Sequence, residues 1–174
     1  ADAAAGVDDR IARRNVALLA LAQALGGASA SIVIATGPLI GSALLGSDKS
    51  LATLPVSFMV LGTALGMLPA GMIIRRFGRR HSFLGSSIGG TFTSLLAAWA
   101  VIVADFWLFT LACAAMGFVT AFVQQFRFAA ADTASAAFRP RAISWVMAGG
   151  ILAGVIGPQT VILTRDLFAP ILFA

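Results

Sequence analysis

The sequence predicts an all-α polytopic membrane bundle with five transmembrane helices and the start of a sixth. The first support is a series of charge-free apolar stretches, which give predicted spans at about 15–45, 51–74, 82–104, 106–127 and 142–164. Each can cross a hydrocarbon core of about 30 Å, which needs roughly 20 helical residues. The second support is composition, because 59% hydrophobic and 11% charged residues would leave a soluble domain of 174 residues with too much exposed apolar surface. We therefore expect the chain to lie in a lipid bilayer.

The positive charges predict the orientation of the bundle. Residues 1–14 form a predicted N-terminal arm, and all but two of the 12 lysines and arginines lie in this arm or in the connections after spans two and four. The other two are Lys49 and Arg165. Because basic residues collect on the cytoplasmic side of a membrane, we expect a cytoplasmic N-terminus in an inner membrane, as in a bacterium. A net charge of +5 at the ends of apolar spans does not indicate nucleic-acid binding.

Small residues predict how the spans pack. Span two contains Gly62-x-x-x-Gly66 and span three contains Gly85-x-x-x-Gly89. This spacing places two glycines on one helix face, so neighbouring backbones can approach closely at both pairs. The connection between spans three and four is only Ala104-Asp105, which predicts a tight antiparallel helix pair.

The segments on either side of span five are predicted from their polarity. The connection from about 127 to 141 is more polar than the spans, and we expect a loop there with a short surface helix. The apolar run at 167–174 is too short to span a membrane, and it predicts the start of a sixth helix.

A basic segment between spans two and three carries a resemblance to a known family. It runs Gly71-Met-Ile-Ile-Arg75-Arg76-Phe-Gly78-Arg79-Arg80-His81. This resembles the signature loop of the major facilitator superfamily, a glycine and an acidic residue followed by a basic and glycine pattern, between the same two helices and on the same side. The resemblance implies a cytoplasmic gating loop made of Gly71, Arg75, Arg76, Gly78, Arg79, Arg80 and His81. Arg75 stands where the family has its acidic residue, which reverses the sign of that charge.

Span five carries a second resemblance. Its glycine-rich face ends in Gly157-Pro158, like the fifth-helix signature found chiefly in antiporters of the superfamily. The resemblance implies a hinge that lets this helix bend or slide, formed by Gly150, Gly154, Gly157 and Pro158. It favours an antiporter of the drug-efflux type over a symporter or uniporter.

Together the two resemblances imply that the chain is the N-terminal half of a secondary transporter. Its partners would be the lipid bilayer, a small-molecule solute and a second six-helix half. The predicted function is export of a small organic solute by alternating access, with proton coupling left open. The alternative is a subunit that keeps this fold as a scaffold or assembly partner in a larger membrane complex.

Uncharged polar residues are the candidates for a solute pathway. The spans contain no ionisable group in their interiors, so the candidates are amides: Gln23, Gln124, Gln125 and Gln159. For Gln23 a cavity position and a hydrogen bond between helices are equally compatible with the sequence. Arg127 and Asp132 form a candidate ion pair in the fourth connection. We expect no cofactor, no metal and no catalytic residue, because the one histidine cannot activate a serine deep in the membrane.

Overall fold

Every regular element in the described part of the chain is helical, as predicted. The computed structural model describes residues 9–46 and 49–164. The helices are α1 (Asp9–Leu45), α2 (Leu54–Ile102), α3 (Phe106–Val123), α4 (Phe126–Thr133) and α5 (Arg139–Thr164). The first eight residues of the predicted arm, Arg165 and the predicted start of a sixth helix at 167–174 lie outside the described residues.

Four long helical segments of this described part are apolar enough to cross a membrane, where the sequence predicts five spans. The difference lies in α2, because predicted spans two and three both belong to this one element of 49 residues. A straight helix of that length would measure about 74 Å, more than twice the thickness of a hydrocarbon core. The backbone of α2 leaves the helical region at Gly78, which divides it into a first half (54–77) and a second half (79–102).

The two halves of α2 run in opposite directions beside α3. In the first half, Thr63 donates a hydrogen bond to the carbonyl of Gly117, and Gly66 packs against Phe118 further along α3. In the second half the order is reversed, because Phe83 stacks edge to face on Phe126, the first residue of α4 just beyond the far end of α3, whereas Ala100 packs near the start of α3. The chain therefore turns back at Gly78, and both halves line α3.

Helices α1 and α5 form the other close pair of the bundle. Gln23 of α1 meets Gly150 of α5, and one turn further along Gly27 meets Ala153. Because both residue numbers rise together, the two helices are parallel. Helix α1 also packs on α3 through Gly26 and Val123, so it joins the α2–α3 unit to α5.

The starts of α1 and α5, the Gly78 break and α4 lie at one end of the bundle, which we call the basic end. Their buried side chains form one apolar cluster, made of Val16, Val123, Phe126, Ala130, Ala134, Phe138, Ala142 and Val146. Helix α4 contributes Phe126 and Ala130, so it is a core element and not the surface helix that the sequence predicts. Helix α1 already begins at Asp9, and Ala12 is only 2% exposed, so the described part of the predicted arm is helical and partly buried.

At the opposite end, α2 and α3 are joined by the predicted tight turn. Ala104 has a positive φ of 54°, and Asp105 begins α3 as its N-cap by accepting a hydrogen bond from the Leu108 amide at 2.9 Å. A side-chain oxygen at this position satisfies an amide that has no partner within the helix.

The two glycine pairs predicted to pack closely behave differently. Gly62 and Gly66 both lie against the backbone of α3, as predicted. Gly85 has no neighbour that a methyl group would touch within 4 Å, and Gly89 meets only the tip of Val119 at 3.7 Å. The prediction of close packing is therefore wrong for Gly85, because the two halves of α2 and α3 leave an open groove at this position.

Candidate functional site

The predicted gating loop is almost entirely helical. Only Gly78 leaves the helical conformation, at φ 78° and ψ 161°. Side chains exclude other residues from this region of backbone space, so glycine is required at this position. Ser82 stabilises the break, since its hydroxyl donates to the carbonyl of Gly78 at 2.7 Å and is buried. The sequence predicts a loop of several residues, and the structure has a sharp reversal at one.

Arg79 connects this break to α4. Its guanidinium forms a salt bridge with the carboxylate of Asp132 and donates a second hydrogen bond to the carbonyl of Ala129 at 3.4 Å. Arg139, at the start of α5, donates to the carbonyl of Ala131 at 3.1 Å. Two arginines from different elements thus hold the C-terminal part of α4 in place. Carbonyls at a helix C-terminus lack partners within the helix and favour cations.

The predicted pair of Arg127 with Asp132 does not form. Both residues lie on α4, and five positions along a helix separate two side chains by about 140°, so they point to different sides. The Arg127 guanidinium instead lies over the ring of Phe128, at 5.0 Å from its centre. Its Nε atom is buried without a hydrogen-bond partner among the described residues.

The other basic residues of the predicted loop point outward. Arg75, Arg76, Arg80 and His81 are exposed, and Arg76 lies over the ring of Phe77 at 5.6 Å. His81 places Nδ1 at 3.3 Å from the carbonyl of Phe77. No acidic residue occurs between Lys49 and Asp105, so Asp132 supplies the one carboxylate that the described structure pairs with this cluster.

Gly149 and Gly157 of α5 form a packing face against α1, and the hinge proposed for this helix stays a prediction. A methyl group on Gly157 would lie 2.7 Å from the Cβ of Ser31 on α1, and Gly149 lies directly against Ala20. Small residues on both helices allow this close approach. The helix continues without a break through Pro158 to Thr164. Gly154, by contrast, faces open space.

Gln23 lies beside this packing face. It is half-buried in the apolar part of α1, and its Nε2 would be 3.7 Å from a methyl group on Gly150. Its amide makes no hydrogen bond to any residue that the structure describes. The sequence left two alternatives for Gln23, a cavity position and a hydrogen bond between helices. The hydrogen bond is not formed within the described part of the chain. Gln23, Gly150 and the open Gly154 together form an uncharged surface, which we call the α1–α5 face.

The other candidate glutamines are not close to Gln23. Gln124 and Gln125 form the two-residue turn between α3 and α4, at the basic end. Gln159 is exposed near the far end of α5. The fold therefore spreads the four candidates over three places.

A cleft that sequence reasoning missed lies between α1, α3 and the second half of α2. It has a volume of about 680 Å³, and its lining includes the hydroxyls of Ser29, Ser86, Ser87, Thr91, Thr93, Ser94 and Thr120. Five of these hydroxyls donate to carbonyls of their own helix, for example Thr120 to Met116 at 2.9 Å. Those five hydrogens are therefore already bonded within their own helices. The sequence signal that could have indicated this cleft is the series of serines and threonines along predicted spans three and four.

Within the described residues, no group of three or more histidine, cysteine, aspartate or glutamate side chains could hold a metal ion. The described part of the chain is that of an integral membrane protein of the polytopic helical class. Its long apolar helices indicate this class, and they carry a glycine reversal held by a salt bridge and an uncharged face with one amide. Comparison with known proteins makes the assignment specific. The model of the Major Facilitator Superfamily matches residues 18–161, and the chain belongs to this family.

Relatives in bacteria support the same assignment. The chain is 46% identical over 167 residues to "Riboflavin transporter RfnT" of Brucella anthropi, covering 96% of this chain and 42% of the relative. It is 29% identical over 154 residues to "Uncharacterized MFS-type transporter YdeG" of Bacillus subtilis, covering 88% of this chain and 36% of the relative. The chain thus spans about two fifths of the length of these curated relatives, which are named as transporters and not as enzymes. No solved structure matches the chain.

Proposed function

We propose that the chain is the N-terminal part of a secondary active transporter that moves a small, uncharged organic solute by alternating access. The single observation that carries the proposal is the 46% identity to a riboflavin transporter across 96% of the chain. A second six-helix half completes the transport path, as in transporters built from paired helical repeats.

The proposed substrate is riboflavin or a closely related flavin. Riboflavin is uncharged near neutral pH and carries ring amides and a chain of hydroxyls. The α1–α5 face suits such a solute, because the Gln23 amide both donates and accepts hydrogen bonds and no charge lies near it. A charged solute would need an opposite charge in the membrane interior, and the predicted spans contain none.

In this proposal the basic end is the cytoplasmic gate of a bacterial inner-membrane protein. The excess of arginines at this end favours a cytoplasmic location. The Gly78 reversal and the Arg79–Asp132 salt bridge hold α2 to α4 at the gate. Sliding along the small residues between α1 and α5 then permits the rocking motion. The resemblance of α5 to the antiporter signature favours export in exchange for protons.

The orientation is tested by labelling single cysteines in intact spheroplasts with a membrane-impermeant maleimide. Cys113 is fully buried and serves as a silent background. We expect label at Lys49→Cys, in the connection at the opposite end, and none at Ala136→Cys, at the basic end. Label at Ala136→Cys with none at Lys49→Cys would reverse the orientation.

The function is tested by flavin flux in proteoliposomes that contain the longest natural form of the protein. We expect riboflavin uptake or release above that of empty liposomes, and an imposed proton gradient should change its rate if exchange with protons is correct. Gln23→Leu should lower the flux about five- to tenfold, the equivalent of one lost hydrogen bond. Thr160→Val is the control, because Thr160 is exposed and bonds only to its own helix. Flux of riboflavin equal to that of empty liposomes would refute the substrate.

A further inference from the structure

An open apolar groove lies beside the exposed arginines of the basic end. It has a volume of about 450 Å³ and runs between the two halves of α2 and α3, lined by Phe77, His81, Gly85, Gly89, Phe118 and Phe122 among others. Its walls are accessible, since Phe77 is 59% exposed and Phe118 is 37% exposed. Gly85 presents bare backbone to it, with no neighbour in the described structure.

One direct contact connects the groove to the positive charges. Arg76 lies over the ring of Phe77, which forms part of the groove wall. His81 lines the groove itself, and Arg80 is the residue before it. Arg79 is the member of this cluster that the salt bridge to Asp132 neutralises. Exposed arginines therefore lie beside two residues of the groove wall, Phe77 and His81, while the interior of the groove is apolar.

We propose that this groove binds an anionic phospholipid. One acyl chain would lie in the groove over Gly85 and Gly89, and the phosphate would be held by Arg76 and Arg80 at the rim. Charge complementarity favours a lipid of this kind, because a basic surface at the level of the head groups attracts anionic lipids, and an acyl chain is the apolar group that a bilayer supplies. A zwitterionic lipid offers the same chain without the net charge.

Native mass spectrometry of the longest natural form of the protein tests this assignment. The protein is titrated with phosphatidylglycerol and with phosphatidylcholine of identical acyl chains. We expect the wild type to bind phosphatidylglycerol at least about fivefold more tightly, the scale of one cationic side chain near a membrane surface. Equal affinity for the two lipids would overturn the proposal.

Matched variants separate the two parts of the site. Arg76→Gln should lower the preference for phosphatidylglycerol about fivefold, whereas Arg141→Gln, an exposed charge at the same end on α5, should leave it unchanged. Gly85→Leu should weaken binding of both lipids by filling the groove, and its Cβ atom would have no neighbour within 4 Å. Gly154→Leu, also in open space but away from the groove, is its control. Unchanged lipid binding in Gly85→Leu would refute the site. The site would also be refuted if this variant changed only the oligomeric mass of the protein, because the groove would then be occupied by another protein chain.

Discussion

The Arg79 guanidinium and the Asp132 carboxylate form a salt bridge that joins the residue after the Gly78 reversal to α4. Their side chains are 37% and 62% exposed, so water and salt weaken the attraction. Its importance is positional, because the same arginine also bonds to the carbonyl of Ala129. The contact links the turning point of α2 to the element that connects α3 with α5.

We predict a measurable but small coupling between these two residues. A double-mutant cycle with Arg79→Gln and Asp132→Asn should give about 0.2–1 kcal/mol, decreasing as salt is raised. The measurement is the free energy of unfolding in mixed micelles at low and high salt. The same cycle with Arg127→Gln and Asp132→Asn should give a coupling near zero. Equal coupling in both cycles would show that the pairing is not specific.

Gly78→Ala should destabilise the protein by about 1–3 kcal/mol, because its φ of 78° is strained for any residue with a side chain. Thermal unfolding in detergent measures the loss. Gly71→Ala is the matched control: Gly71 is helical and faces open space, so alanine should be neutral or stabilise by about 0.5–1 kcal/mol. A Gly78→Ala protein as stable as the wild type would contradict the sharp reversal.

Thr63→Val should remove a hydroxyl whose single hydrogen is shared between two carbonyls at 3.0 Å, that of Gly117 on α3 and that of Met59 on its own helix. Such bonds between membrane helices contribute about 0.6 kcal/mol on average and up to about 1.7 kcal/mol. The free energy of unfolding should fall by an amount in this range. Thr160→Val removes only a bond within its own helix and should change stability by less. A larger effect at Thr160 would reverse this interpretation.

Gly157→Ala should separate α1 from α5, because the added methyl group would lie 2.7 Å from the Cβ of Ser31 and 2.9 Å from the carbonyl of Ala28. Overpacking of this kind costs about 1–3 kcal/mol. Gly154→Ala, one turn earlier and in open space, should not destabilise. Spectroscopic distances between labels on α1 and α5 should increase only in the Gly157 variant. Unchanged distances there would mean that the two helices adapt without separating.

Several features could be predicted from sequence because they depend on local chemistry. The apolar stretches specify membrane helices, and Gly62 and Gly66 pack against α3 as their spacing predicts. Predicted spans two and three correspond to the two halves of α2, which a reversal at one glycine joins into a single helical element. The Arg127–Asp132 pair was wrong because proximity along the chain says little about direction on a helix, and the partner of Asp132 is 53 residues away.

Hydrophobicity and charge position are properties of each segment, so the membrane environment, the helical class and the family signatures can all be read from the sequence. Contacts between segments were decided only by tertiary structure. Gly157 is closely packed and Gly154 is open although both are glycines of α5, because one faces α1 and the other does not. Gly85 likewise lines an open groove, because the two halves of α2 and α3 do not close over it. A residue's partner depends on which helix faces it, and that depends on the packing of the whole bundle.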